Sequence, residues 1–202
     1  MNIYNNKLAL GTVQFGKKYG VSNQNDSKVS PNEVEKILSF AKEIKIDTLD
    51  TAADYGDSET VLGKSGVNNF NIITKLPYLL DTHNLDKDIL NFTNRSLRNL
   101  KMELLYGLLV HKSTDLLSKN GEVLYANLIR LKEEGVVQKI GVSVYQPEEI
   151  DLLIERFDLD LIQAPFNVID GRMLNSGIMQ KLSNSKVELH VRSIFLQGLL
   201  LM

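Results

Sequence analysis

Residues 46–62 read IDTLDTAADYGDSETVL, and this stretch decides the fold. Residues 46–49 form a short run, apolar at both ends, that stops at one polar side chain, Asp50. A loop holding Tyr55 and Gly56 follows, and a helical pattern opens at Ser58. The unit is strand, loop, helix. Outward from it the unit recurs. Apolar runs at 7–10, 70–74, 104–110, 139–142, 159–163 and 187–191 predict further strands. Helical patterns occupy 31–44, 58–62, 85–100, 121–134, 147–156 and 172–182. Pro31 and Pro147 stand where a first helical turn tolerates a missing N–H, each followed by acidic residues that suit the positive helix end. In 85–100, Leu85, Ile89, Phe92, Leu97 and Leu100 make an apolar stripe for packing on the sheet.

Alternating strands and helices predict an α/β fold with a parallel sheet under helices. Seven strands in one domain spanning 1–202 predict a (β/α)8 TIM barrel, truncated after about seven strands and lacking the last strand and C-terminal helices. Two unpaired strand edges would then favour a homo-oligomer. An open doubly wound sheet is the rival. Its G-x-G-x-x-G fingerprint is not matched by Gly11-Thr-Val-Gln-Phe-Gly16. Residues 22–30, SNQNDSKVS, read as a polar loop.

Bulk composition removes several function classes. The net charge is -2, so no basic field draws nucleic acid. The chain has no cysteine, which excludes disulfides, thiolate zinc sites and cysteine nucleophiles. No apolar run approaches the roughly 20 residues of a membrane span, and the start MNIYNNKLALG lacks the pattern of a signal peptide. A cytoplasmic protein is expected. No two histidines have metal-ligand spacing, so no metal is expected, and His83 and His190 stand in no motif.

Barrel enzymes place their chemistry where strands end. Here the strands end in polar residues: Asp50 with Tyr55 five residues on, Lys75, His111, Ser143, Gln163, and Arg192 with Ser193. A phenol is a poor acid near pH 7, and a nearby ammonium stabilises its phenolate. A carboxylate holds the ammonium, and an imidazole donates to a carbonyl oxygen. The four together make a proton donor beside an oxyanion pocket.

The run Leu-Asp-Thr-Ala-Ala-Asp-Tyr-Gly-Asp-Ser-Glu (49–59) with Leu62-Gly63 resembles the signature of the aldo-keto reductases around their catalytic Asp and Tyr. Thr74-Lys75 resembles the segment carrying the family's Lys, Leu109-Val-His-Lys the one carrying His, and Leu8-Ala-Leu-Gly-Thr the opening strand. The resemblance implies NADPH (or NADH) as cofactor and a small-molecule carbonyl substrate: an aldehyde, ketone or sugar. It implies catalytic roles for Asp50, Tyr55, Lys75 and His111, with Tyr55 as proton donor. It implies cofactor contacts at Gly11, Thr12, Asp50, Ser143, Gln163, Arg192 and Ser193. Glu59 either meets the adenosine side or complements the helix dipole. Many relatives have Asn after Gly-Val-Ser, where this chain has Val144.

Singly, each residue has a plainer reading. Asp50 caps a turn, Tyr55 is a half-buried core tyrosine, Lys75 is a loop lysine, and His111 is a satisfied structural histidine. A truncated non-catalytic binding or regulatory descendant is the second reading of the chain. A Schiff-base lyase using Lys75 is the third.

Overall fold

The fold is known from a computed structural model that describes residues 7–23, 27–79 and 84–202. His83 lies outside the described residues. Seven strands run in chain order: β1 (Ala9–Gly11), β2 (Thr48–Asp50), β3 (Asn71–Leu76), β4 (Leu105–Val110), β5 (Val137–Ser143), β6 (Leu161–Pro165) and β7 (Glu188–Arg192). All pairs are parallel and neighbours in sequence are neighbours in the sheet. Every expected strand is present with its ends within two residues of the sequence reading. The ladder sets those ends: β1 pairs through Gly11 with Asp50, and β6 pairs through Pro165 with Arg192.

The sheet curls. Gln163 on β6 donates from Nε2 to Asp50 Oδ1 on β2 at 2.7 Å. Four strand spacings on a flat sheet would separate these strands by about 19 Å. The order of the strands and this cross-interior bond give a (β/α)8-type barrel with seven strands among the described residues. Ile73, Leu109 and Leu161 form a separate apolar cluster, with Tyr106 against it, and fill the interior. By the two-residue alternation of a strand, Lys75 and Gln163 stand on the same face, one step beyond Ile73 and Leu161.

The helices cover the outside. They are α1 (Val13–Gly16), α2 (Pro31–Glu43), α3 (Ser58–Ser65), α4 (Leu85–Leu100), α5 (Ser113–Leu116), α6 (Gly121–Glu133), α7 (Pro147–Arg156), α8 (Arg172–Asn175) and α9 (Ile178–Ser183). Pro31 and Pro147 open α2 and α7 as their positions predict, and Ser30 Oγ accepts from Glu33 N across the start of α2. The single helix expected over 172–182 is two, α8 and α9. Gly177 interrupts it at φ +75, a left-handed conformation a helix cannot carry. The short α1 and α5 carry too few residues to show a period. The expected stripe on α4 packs on the core, with Ile89 and Leu100 buried and Leu85, Phe92 and Leu97 partly buried against it, and Thr93 and Ser96 are buried beside them. There α3 lies so close that a side chain at Gly63 would meet the Asn99 carbonyl at 2.1 Å. Residues 196–201 form a kinked 3-10 turn with no buried side chain.

Candidate active site

The loop after β2 brings Tyr55 over the barrel mouth, and close packing holds it there. A Cβ on Gly16 would fall 1.8 Å from the Tyr55 carbonyl, and Gly56 takes φ +62 against the Gly16 carbonyl. Beneath the loop three buried hydroxyls interlock. Thr51 Oγ1 donates to Ser58 Oγ, Ser58 Oγ donates to the Thr12 carbonyl, and Thr12 Oγ1 donates to the Asp50 carbonyl. They tie the ends of β1 and β2 to the start of α3.

Lys75 is the centre of the site. It is 1% exposed, and its Nζ donates to Asp50 Oδ1 at 2.6 Å and to the Thr51 carbonyl at 2.8 Å. The same ammonium lies 5.0 Å from the centroid of the Tyr55 ring. Burial pulls the Lys75 pKa down, and the Asp50 carboxylate opposes it. A Schiff-base role needs the free amine that burial favours. The two hydrogen bonds to Asp50 and Thr51 instead bind this nitrogen into the framework.

The Tyr55 phenol differs from the expectation. Its pKa is raised, first by burial and next by the negative charge of Asp50, against a downward pull from Arg192. The Asp50 carboxylate already neutralises the ammonium, so desolvation dominates and the phenol is held protonated. His111 follows β4 and meets Tyr55 edge-on, centroids 6.0 Å apart. Burial and Lys75 lower its pKa while Asp54 and Asp50 oppose them.

Across the mouth, Ser143 ends β5 in register with Gln163 on β6, and both are buried. Gln163 Oε1 is buried without a hydrogen-bond partner among the described residues. Val144, where many relatives have Asn, packs its side chain in the core. Its carbonyl accepts from Arg192 Nη2 at 3.0 Å. Arg192, at the end of β7, stacks 4.4 Å from the Tyr145 ring, and Ser193 beside it takes φ +60. At the end of β1, a Cβ on Gly11 would meet nothing within 4 Å. Thr12 is fully buried, with its hydroxyl turned into the Thr51–Ser58 group. Asp50, Tyr55, Lys75, His111, Gln163 and Arg192 are therefore brought together by contact or by mutual charge, while Thr12 presents no side chain to the mouth.

Glu59 is not at the mouth. It is 4% exposed and accepts from Thr74 Oγ1 at 2.7 Å and Asn99 Nδ2 at 3.3 Å, bracing α3 to β3 and α4. The reading that puts it on the adenosine side gives way to this one, because both its oxygens are engaged outside the barrel. Two groups escaped the sequence reading. Asp54 faces His111 Nδ1 at 3.4 Å, and its signal was its place beside Tyr55. Lys139, Tyr106 and Glu188 join inside the barrel, with Lys139 Nζ donating to Tyr106 Oη at 2.6 Å and pairing with Glu188. No local spacing marks them, since they come from three strands.

Comparison with known proteins bears on the whole arrangement. Residues 7–202 match the profile described as Aldo/keto reductase family. A Pseudomonas aeruginosa protein assigned to the aldo-keto reductases superposes with a TM-score of 0.78 at 25% identity, over 93% of this chain and 73% of that one. An aldo-keto reductase from Bacillus halodurans, in its holo form, gives 0.77 at 20% identity, over 96% of this chain and 64% of that one. The glycerol dehydrogenase from Gluconobacter oxydans gives 0.73 at 24% identity, over 96% of this chain and 61% of that one. The chain thus spans roughly two thirds of the length of these structures. No curated protein matches it.

Proposed function

Because the chain belongs to the aldo/keto reductase family, we propose that it is an oxidoreductase that reduces an aldehyde, ketone or sugar carbonyl with NADPH or NADH, Tyr55 giving the proton. The observation that carries this reading is the Gln163–Asp50–Lys75 chain. One carboxylate oxygen accepts from both the amide of β6 and the ammonium of β3. The amide oxygen left over, Gln163 Oε1, is a buried acceptor without a partner among the described residues. A buried acceptor left unpaired costs about 1–3 kcal/mol, and a carboxamide N–H would satisfy it. A nicotinamide brings that group. Ser143 in register with Gln163 and the open space above Gly11 support the same fit.

A bound dihydronicotinamide supplies hydride to the carbonyl carbon. The remaining work falls to the chain's own residues. As negative charge grows on the carbonyl oxygen, Tyr55 Oη–H donates its proton there. Burial keeps that proton in place beforehand. The phenolate that forms is stabilised by the Lys75 ammonium beside its ring. Asp50 Oδ1 fixes that ammonium, and the same oxygen accepts from and orients the amide of Gln163. His111 lies beside the phenol where the carbonyl must sit. Among the described residues no helix is long and apolar enough to cross a membrane. A cytoplasmic location and a homo-oligomer belong to this same reading.

Titrating NADPH or NADH with the protein tests the first half, with a shift in cofactor fluorescence expected. Tyr55→Phe tests the second. Turnover should fall by about 10²-fold or more, while cofactor binding stays within a few-fold of the parent. Turnover kept in that variant removes Tyr55 from the role.

A further inference from the structure

One of the buried hydroxyl residues beneath the Tyr55 loop also reaches the ammonium. The N–H of Thr51 donates to the Ile73 carbonyl at 2.8 Å, and its own carbonyl accepts from Lys75 Nζ at 2.8 Å. The backbone of Thr51 is thus fastened to β3 and to the cation that β3 carries. Its side chain makes the link to the loop. Thr51 Oγ1 donates to Ser58 Oγ at 3.1 Å, and Ser58 N donates to the Tyr55 carbonyl at 3.2 Å. Ser58 Oγ gives its own hydrogen to the Thr12 carbonyl at 2.9 Å, and Thr12 Oγ1 gives its hydrogen to the Asp50 carbonyl at 2.9 Å. Each hydroxyl hydrogen therefore meets an acceptor, in a place where Thr12, Thr51 and Ser58 are all 0% exposed.

A hydroxyl lends a direction that an apolar contact lacks. A buried one left unpaired is costly, so such a unit keeps one geometry or comes apart as a whole. We propose that Thr51 is a positioning residue that sets the separation of the Tyr55 phenol from the Lys75 ammonium. Its carbonyl holds the ammonium, and its hydroxyl, through Ser58, holds the loop that carries the phenol. The ammonium lies 5.0 Å from the ring centroid in this arrangement. Without the hydroxyl, the start of α3 loses its bond to the residue that holds Lys75. Thr51 is buried beneath the mouth and acts through Tyr55 and Lys75. The consequence for turnover rests on the reductase reading; the placement of Tyr55 does not.

The test separates the hydroxyl from the bulk of the residue. Thr51→Val removes the hydroxyl and keeps the shape, whereas Thr51→Ser keeps the hydroxyl and removes a methyl. NMR of tyrosines labelled at Cζ reports the phenol in the ligand-free protein, and Tyr55→Phe picks out the Tyr55 signal among the seven tyrosines. In Thr51→Val that signal should move, and the pH at which it titrates should fall toward that of an exposed tyrosine, because burial is what raises it. In Thr51→Ser it should stay with the parent's, although the urea midpoint drops with the lost methyl. Should Thr51→Val fail to fold, Ser58→Ala breaks the same bond from α3 and should shift the signal in the same way. An unmoved Tyr55 signal in the variant that has lost the bond, or an equal shift in Thr51→Ser, overturns the proposal whether or not the protein reduces anything. With a carbonyl substrate that the parent turns over, kcat should fall at least about 10-fold in Thr51→Val with KM little changed, since a displaced proton donor slows the chemical step. Thr51→Ser should restore the parent's kcat. Equal kcat in Thr51→Val and the parent, or a kcat that follows the urea midpoint across the two variants, overturns the catalytic consequence.

Discussion

Tyr55 holds its proton because the fold removes water from it and sets Asp50 close by. That has a stability consequence with a definite sign. In the unfolded chain the phenol ionises near pH 10. Above that pH the unfolded state has lost a proton that the folded state keeps, so folding stability falls as pH rises. Removing the phenol should make the decline shallower. Between wild type and Tyr55→Phe the slopes should differ by about 1.4 kcal/mol per pH unit above pH 10. Urea unfolding across pH 9 to 11.5 measures it, and parallel slopes contradict the buried, protonated phenol. At the same scale, the Asp50–Lys75 pair is a buried ion pair whose members cannot be removed singly without loss. Asp50→Ala leaves the buried Lys75 without its carboxylate, with the Thr51 carbonyl still accepting from it, and should cost about 3–5 kcal/mol. Asp50→Asn, which keeps an acceptor for Nζ, should cost less. Chemical denaturation of the two variants reads the difference.

Elements matter here mainly through how tightly they meet. The Tyr55 loop is pressed between α1 and the start of α3, and the Gly16 contact fixes its height over the mouth. Gly16→Ala cannot fit without moving the Tyr55 or Ser58 backbone. A displacement of about 1 Å at a proton donor costs roughly 10²-fold in rate. The variant should keep its helix content and its cofactor affinity while kcat falls by about that factor. Unchanged kcat would mean that the loop is not held from this side. The loops beyond β3, β4 and β5 are linked in the same manner. Asp115 accepts from Leu79 N, and Ser113 Oγ donates to Glu149 Oε1. Glu149 Oε2 in turn accepts from the Tyr145 and Gln146 N–H groups at the start of α7. The rim is a belt of loops bonded to one another.

For the molecule as a whole, the curl of the sheet is what turns a row of strand ends into a site. Ile73, Leu109 and Leu161 support the curl from within. Leu161 is fully buried, so Leu161→Ala should cost about 2–5 kcal/mol. It should also loosen Gln163, its same-face neighbour on β6, and weaken cofactor binding more than a comparable truncation in α2, such as Leu38→Ala. Thermal unfolding and a cofactor titration on the two variants make the comparison.

The sequence by itself determined the alternation of strands and helices, the starts at Pro31 and Pro147, and the polar residues at strand ends. All of these are local: a strand's period, a proline's missing N–H and a motif's spacing are written within a few residues. It also carried the motif around Asp50 and Tyr55 that matched a known family. What only the tertiary structure decided is whatever depends on residues far apart in the chain. The bond from Asp50 to Gln163 spans 113 positions and exists because the sheet closes on itself. The proton affinity of Tyr55 is set by burial, which no local pattern encodes, and it runs opposite to what a neighbouring lysine alone would predict. Glu59 is a helix-start residue in sequence and in the structure, and only the fold makes it a buried brace as well. The physical reason is the same in each case: periodicity fixes which face a side chain takes. Desolvation and cross-strand contact, which fix what that face does, arise only once distant segments have packed.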